Sequence, residues 1–82
     1  QPAFMDTLAM LMADKGDSAG AIALLRKALE IAPQAAPIRL NLARVLISAG
    51  RKDEARSELD ALVKLGDKFA EQTEVTRLQK SL

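Results

Sequence analysis

The chain has no cysteine, histidine, tryptophan or tyrosine, and only two phenylalanines among its 82 residues. Without cysteine there is no disulfide and no thiol nucleophile, and without histidine there is no imidazole base. Zinc sites built on Cys or His ligands are excluded with them. Cysteine-free domains persist in reducing and oxidising compartments alike, so composition leaves localisation open. Neither sign of charge dominates: twelve Lys and Arg against eleven Asp and Glu give a net charge of +1. That balance argues against a nucleic-acid or anionic-membrane surface, which carries a clear basic excess. No apolar run approaches the ~20 residues needed to cross a bilayer. The apolar segment Ala3–Ala13 has no basic n-region before it and contains Asp6, so it does not read as a signal peptide. The chain opens Gln1-Pro2 rather than with Met, as expected for a piece of a longer protein.

Catalytic patterns are missing too. Ser18, Ser48, Ser57 and Ser81 have no His or Cys to activate them, and no G-x-S-x-G elbow or Gly-rich phosphate loop occurs. Glu54 and Glu58 stand four residues apart, but Lys52 and Arg56 interleave with them, and the stretch reads as a solvated helix face. Arg26 with Glu30, and Asp60 with Lys64, read as i,i+4 pairs worth ~0.2–0.5 kcal/mol each. No enzymatic activity, cofactor or metal is expected.

What is present is punctuation. Gly16, Gly50 and Gly66 each follow an apolar-periodic stretch, where a left-handed residue ends a helix. Pro2 and Pro37 stand near helix starts, and Pro33 stops a helix after Ile31. Nothing alternates with period two. An all-α chain follows, with five helices near 3–15, 18–31, 37–49, 52–65 and 68–81. Gly16 and Gly50 lie 34 residues apart, and the same shift superposes Leu8 on Leu42, Ala9 on Ala43, Ala21 on Ala55 and Leu25 on Leu59. Conservative matches join them at Leu11/Val45, Met12/Leu46, Leu29/Val63 and Ile31/Leu65. Helix–turn–helix units at this period stack into a solenoid, each burying its apolar face on the next.

The pattern resembles the tetratricopeptide repeat (TPR), over residues 2–69 without insertion. Leu8-Ala9, Met12, Gly16-Asp17, Ala21, Ala28 and Pro33 occupy the motif positions of a first unit, 2–35. Leu42-Ala43, Leu46, Gly50, Ala55, Leu59 and Leu62 occupy those of a second, 36–69. Met5, Arg39, Leu62 and Asp67 depart from the usual residues. The resemblance implies a right-handed α-solenoid in which Ala9, Ala21, Ala43 and Ala55 let helices approach closely. Residues 70–82 break the motif with Thr76, Arg77 and Lys80 but keep Val75, Leu78 and Leu82 on one stripe, as a capping helix does. The stretch 50–82, through Ala55-Arg56, Glu58-Leu59, Gly66 and Phe69, is loosely similar to bacterial TPR lipoproteins of the PEP-CTERM/exosortase system. That similarity implies a parent protein tethered to a membrane, working in envelope protein sorting or exopolysaccharide secretion.

The family's usual function is to hold a peptide or partner helix in the groove lined by first helices, without catalysis. Mapped by resemblance, the groove positions are Asp6, Thr7, Met10, Asp14, Asn41, Arg44 and Ser48. Asn41 would bond a peptide backbone through both amide atoms, and Arg44 would fork onto a carboxylate. The clamp that grips acidic chaperone tails needs Lys, Asn, Asn, Lys and Arg. Its five positions hold Asp6, Met10, Asn41, Glu71 and Val75, so that subtype is not expected. Nor is base reading by repeated side chains, because Met10 corresponds to Arg44 and Asp14 to Ser48. At the other end, the first helix is apolar nearly all round, and residues 1–35 carry seven charges against sixteen in 36–82. Phe4, Met5 and Met12 are therefore expected to form an edge interface, covered by further repeats or by a second copy in a homodimer.

Overall fold

The computed structural model describes residues 1–82. Five α-helices follow one another: α1 Pro2–Asp14, α2 Ser18–Ile31, α3 Ala36–Ser48, α4 Lys52–Val63 and α5 Gln72–Lys80, with a single 3₁₀ turn at Gly66–Lys68. The chain is all-α, and its helices form a short helical-repeat solenoid: hairpin α1–α2, hairpin α3–α4, then α5.

Local chemistry explains the hairpins. Gly16 and Gly50 have φ of 94° and 77°, which side-chain-bearing residues avoid. Around them the two turns use the same hydrogen bonds. Asp17 N–H donates to the Met12 carbonyl and Gly16 N–H to that of Ala13, at 2.9 and 3.0 Å. One hairpin later Arg51 N–H donates to Leu46 and Gly50 N–H to Ile47, again at 2.9 and 3.0 Å. Both are Schellman closures, which satisfy carbonyls that the helix end leaves open. The next helix starts differently in each case. Asp17 caps α2 by accepting from Gly20 N–H at 2.9 Å, whereas Arg51 makes no side-chain cap and instead donates to Glu54 at 2.9 Å.

The third turn departs from the expected helix at 68–81. Gly66 has φ of 56°, but the side chain of Gln72 closes α4, donating to the Leu62 and Gly66 carbonyls at 2.7 and 3.1 Å. Phe69 is extended and buried, so α5 begins only at Gln72. Burial of one large aromatic outweighs one more turn of helix here.

Every buried residue is apolar. One cluster joins α1, α2 and α3 through Ala9, Ile22, Leu25, Leu29, Ile38, Leu42, Val45 and Leu46. A second joins α3, α4 and α5 through Leu40, Ala43, Leu59, Leu62, Phe69, Val75 and Leu78. Helix α3 belongs to both and is therefore covered on two sides. Ala9, Ala21, Ala43 and Ala55 are all fully buried, the close-approach role that the motif assigned to them. No helix is long and apolar enough to cross a membrane.

Two surface expectations change. Arg26 does not pair with Glu30, nor Asp60 with Lys64; Arg26 reaches across to α4 instead, meeting Glu54 at 2.9 Å and Glu58 at 3.6 Å. Arg39 meets Glu58 at 2.6 Å and donates to the Pro33 carbonyl at 3.2 Å. Glu54 and Glu58 thus tie the two hairpins together through Arg26, and Glu58 also ties α4 to α3 through Arg39, rather than facing water alone.

Candidate functional site

The polar residues of α1, α3 and α5 line up on one face. Asn41 Nδ2 donates to Asp6 Oδ1 at 2.9 Å, and Arg44 Nη1 donates to Asn41 Oδ1 at 3.0 Å. Arg44 Nη2 donates to Glu74 Oε2 at 3.1 Å. Arg77 closes the series with two bonds of 2.7 Å onto the Glu74 carboxylate. A ladder Asp6–Asn41–Arg44–Glu74–Arg77 therefore spans three first-position helices. Each helix that supplies a rung is anchored in the core by residues close to it: Ala9 in α1, Leu40 and Ala43 in α3, Val75 and Leu78 in α5. The forks of Arg77 and then Arg44 hold the Glu74 carboxyl far below the usual carboxylate range, at about 2. The same contacts raise Arg77.

Beside the ladder lies a cavity of about 130 Å³, lined by Met10, Ala13, Asp14, Ser18, Arg44, Val45 and Ser48. Met10 and Val45 give it an apolar floor, and Asp14, Arg44 and Ser48 give it a polar rim. It admits a small side chain and no more. Met10 packs half-buried against the core, so its thioether is both floor and packing atom.

Six of the seven groove positions expected from the sequence thus fall into two connected groups. Asp6 and Asn41 form one end of the ladder; Met10, Asp14, Arg44 and Ser48 meet at the cavity, with Arg44 in both. Thr7 stands apart, its hydroxyl donating to the Ala3 carbonyl at 3.2 Å. Asn41 and Arg44 are already engaged with each other, so a ligand competes for them rather than finding them free. Sequence reasoning missed Glu74 and Arg77, whose i,i+3 spacing was the available signal, and Ser18. Of the clamp positions, Val75 is fully buried and cannot meet a ligand.

The edge expectation needs a correction. Met5 and Met12 are half-buried against the α1–α2–α3 cluster rather than presented outward. At i, i+4 and i+7, Met5, Ala9 and Met12 share the inward face of α1. The outward face is Phe4, Leu8 and Leu11, at the same spacing. These three are 70%, 42% and 53% exposed. Their equivalents 34 residues on, Ile38, Leu42 and Val45, are 6%, 1% and 3% exposed.

The sequence profile described as Tetratricopeptide repeat matches residues 12–81, which is 70 of the 82 positions. No curated protein and no solved structure matches the chain. The paired Schellman turns and the buried alanines Ala9 and Ala43, Ala21 and Ala55, each pair 34 residues apart, agree with that profile, and the chain belongs to the tetratricopeptide repeat family.

Proposed function

We propose that the chain is a protein-interaction module, two repeats at 2–35 and 36–69 with a capping segment at 70–82, that holds an extended peptide across α1, α3 and α5. TPR repeats generally mediate protein–protein contacts and are typically non-catalytic, so the reading starts from the family. The observation that carries it further is the meeting of Met10, Asp14, Arg44 and Ser48 around one small cavity beside the ladder. A peptide needs an apolar foothold flanked by groups that bond its backbone, and this face supplies both. A small aliphatic side chain fits over Met10 and Val45. The peptide backbone then exchanges hydrogen bonds with Asn41 and Ser48, and an acidic neighbour shares Arg44 with Glu74.

The test uses peptides selected on the full chain from a random display library, titrated into isotope-labelled protein. Shifts are expected to cluster at Met10, Asn41, Arg44 and Ser48. Ser48 is exposed and makes no side-chain hydrogen bond, so Ser48→Trp covers the cavity mouth without removing any residue of the ladder. That variant is expected to lose binding at least tenfold with unchanged helical circular dichroism. Unaltered binding by Ser48→Trp would move the site to another face.

A further inference from the structure

We infer that the cavity beside the ladder takes the free amino end of a peptide, as its ammonium, with a small first residue such as alanine, serine or valine. The inference rests on the peptide-binding reading above and names the part of a peptide that the cavity selects.

Two helices end at this cavity. Asp14 is the last residue of α1 and Ser48 the last of α3, and both line it. A helix C-terminus carries about half a negative charge, which a basic residue in the last turn offsets. Neither helix has one. The Asp14 carboxylate adds a full negative charge at the same end and enters no ion pair in the molecule. Lys15, next along the chain, lies outside the lining. Arg44 is the cation at the cavity, and its two terminal nitrogens already serve Asn41 and Glu74. Helix α2 starts nearby at Ser18, but Asp17 accepts from its Gly20 N–H and meets its N-terminal charge. The Asp14 side of the cavity is therefore short of one positive charge.

The rest of the lining narrows that cation. An acidic rim at Asp14, an apolar floor of Met10, Ala13 and Val45, and hydrogen-bond donors at Arg44 meet around about 130 Å³. The first residue of a peptide carries an ammonium, a side chain and a carbonyl on one carbon, so it answers all three at once. A lysine side chain holds its ammonium a four-carbon stem away from the backbone, so its carbonyl does not reach Arg44 from the same space. An internal residue offers Asp14 only a neutral N–H. A guanidinium has five N–H donors, so Arg44 keeps three beyond those given to Asn41 and Glu74, and one of them meets the incoming carbonyl. The hydroxyls that bond within the chain are those of Thr7 and Ser81, which leaves Ser18 and Ser48 to accept the other ammonium protons. A charged hydrogen bond of this kind is roughly twice as strong as a neutral one, so the charge on the amine sets the selection.

The probes are random pentapeptides attached to resin through the C-terminus, half with free amines and half acetylated, screened against the full chain. Hits are expected from the free-amine half, beginning with Ala, Ser or Val. Acetylating such a hit is expected to weaken its binding about tenfold or more in titration calorimetry. Asp14→Asn keeps the size of the side chain and removes its charge. That variant is expected to weaken the free-amine form about tenfold and the acetylated form less than about twofold, a coupling between carboxylate and amine. Asp14 is exposed, so the variant retains its helical circular dichroism. Hits that bind equally well when acetylated, yet lose binding on Ser48→Trp, would overturn the inference and leave the groove reading standing. Acetylated hits that share a lysine and need Asp14 would overturn it in favour of a side-chain ammonium. Equal losses for both forms on Asp14→Asn would also overturn it, because Asp14 would then be bonding an ordinary backbone N–H. Binding in neither half, or hits indifferent to Ser48→Trp, would overturn the groove reading and this inference together.

Discussion

Helices α1 and α3 are close to a controlled pair. Both have thirteen residues, both carry proline in the first turn, and both end in the same Schellman closure. Each places large apolar residues at i, i+4 and i+7 on the face turned away from its own hairpin partner. On α3 that face is buried; on α1 it is open. The difference lies in neither helix. It lies in whether a helix with the pattern of α2 stands alongside. An apolar stripe states what a helix can bury, and the neighbour decides whether it does.

The sharpest way to break this comparison is to shave both stripes at the same place. Leu42→Ala is expected to cost about 2–5 kcal/mol, the usual loss for a fully buried leucine. Leu8→Ala, half-exposed, is expected to cost less than about 1 kcal/mol. Urea midpoints at constant slope measure both. Equal losses would show that Leu8 is covered in solution and that the contrast is false.

A smaller effect tests the part the two hairpins share. Gly16→Ala and Gly50→Ala each force a methyl-bearing residue to positive φ, costing about 1 kcal/mol. Nothing stands within 4 Å of either added carbon, so the cost is backbone strain alone. The two values are expected to agree within experimental error. A clear inequality would show that the turns, alike in hydrogen bonding, differ in tolerance because only one carries the Asp17 cap.

The smallest effect concerns pH. Glu74 titrates near 2 in the folded chain, held down by Arg77 and Arg44, against an ordinary value of 4.5. Glu54 is lowered as well, chiefly by Arg51. Between those values an acidic solution protonates the unfolded chain first, so lowering the pH favours unfolding. The stabilisation is complete above about 4.5 and is lost as pH falls from there towards 2. Glu74→Gln is expected to flatten part of that slope. Added salt is expected to shrink the difference, because these carboxylates are open to solvent. A slope unchanged by Glu74→Gln would mean that the ladder does not bind α5 to α3.

Features set by a few neighbouring residues were legible in the sequence. The helices, the turns at Gly16 and Gly50 and the 34-residue period all follow from capping and periodicity, which act over one or two turns. The segment after Gly66 was not, because Gln72 reaches back to the Leu62 carbonyl and Phe69 turns into the core. Those choices depend on contacts between α4 and α5. The candidate site divides in the same way. Asn41, Arg44 and Ser48 were readable as polar positions on a first helix. That Asn41 meets Asp6, and Arg44 meets Glu74, was not readable, since residues 6, 41 and 74 are joined only by stacking.

By itself, then, the sequence determined the all-helical repeat, its turns, and the exclusion of thiol and imidazole chemistry, because each rests on residue identity or on backbone preferences within one helix. Tertiary structure alone decided which methionines turn inward and which leucines stay out. It also made Arg26 bridge the two hairpins instead of pairing with Glu30, and joined Arg44 to α5 through Glu74. The physical reason is the same throughout. Periodicity fixes the faces of a helix, but burial and ion pairing belong to two surfaces at once, and only packing brings the second surface near.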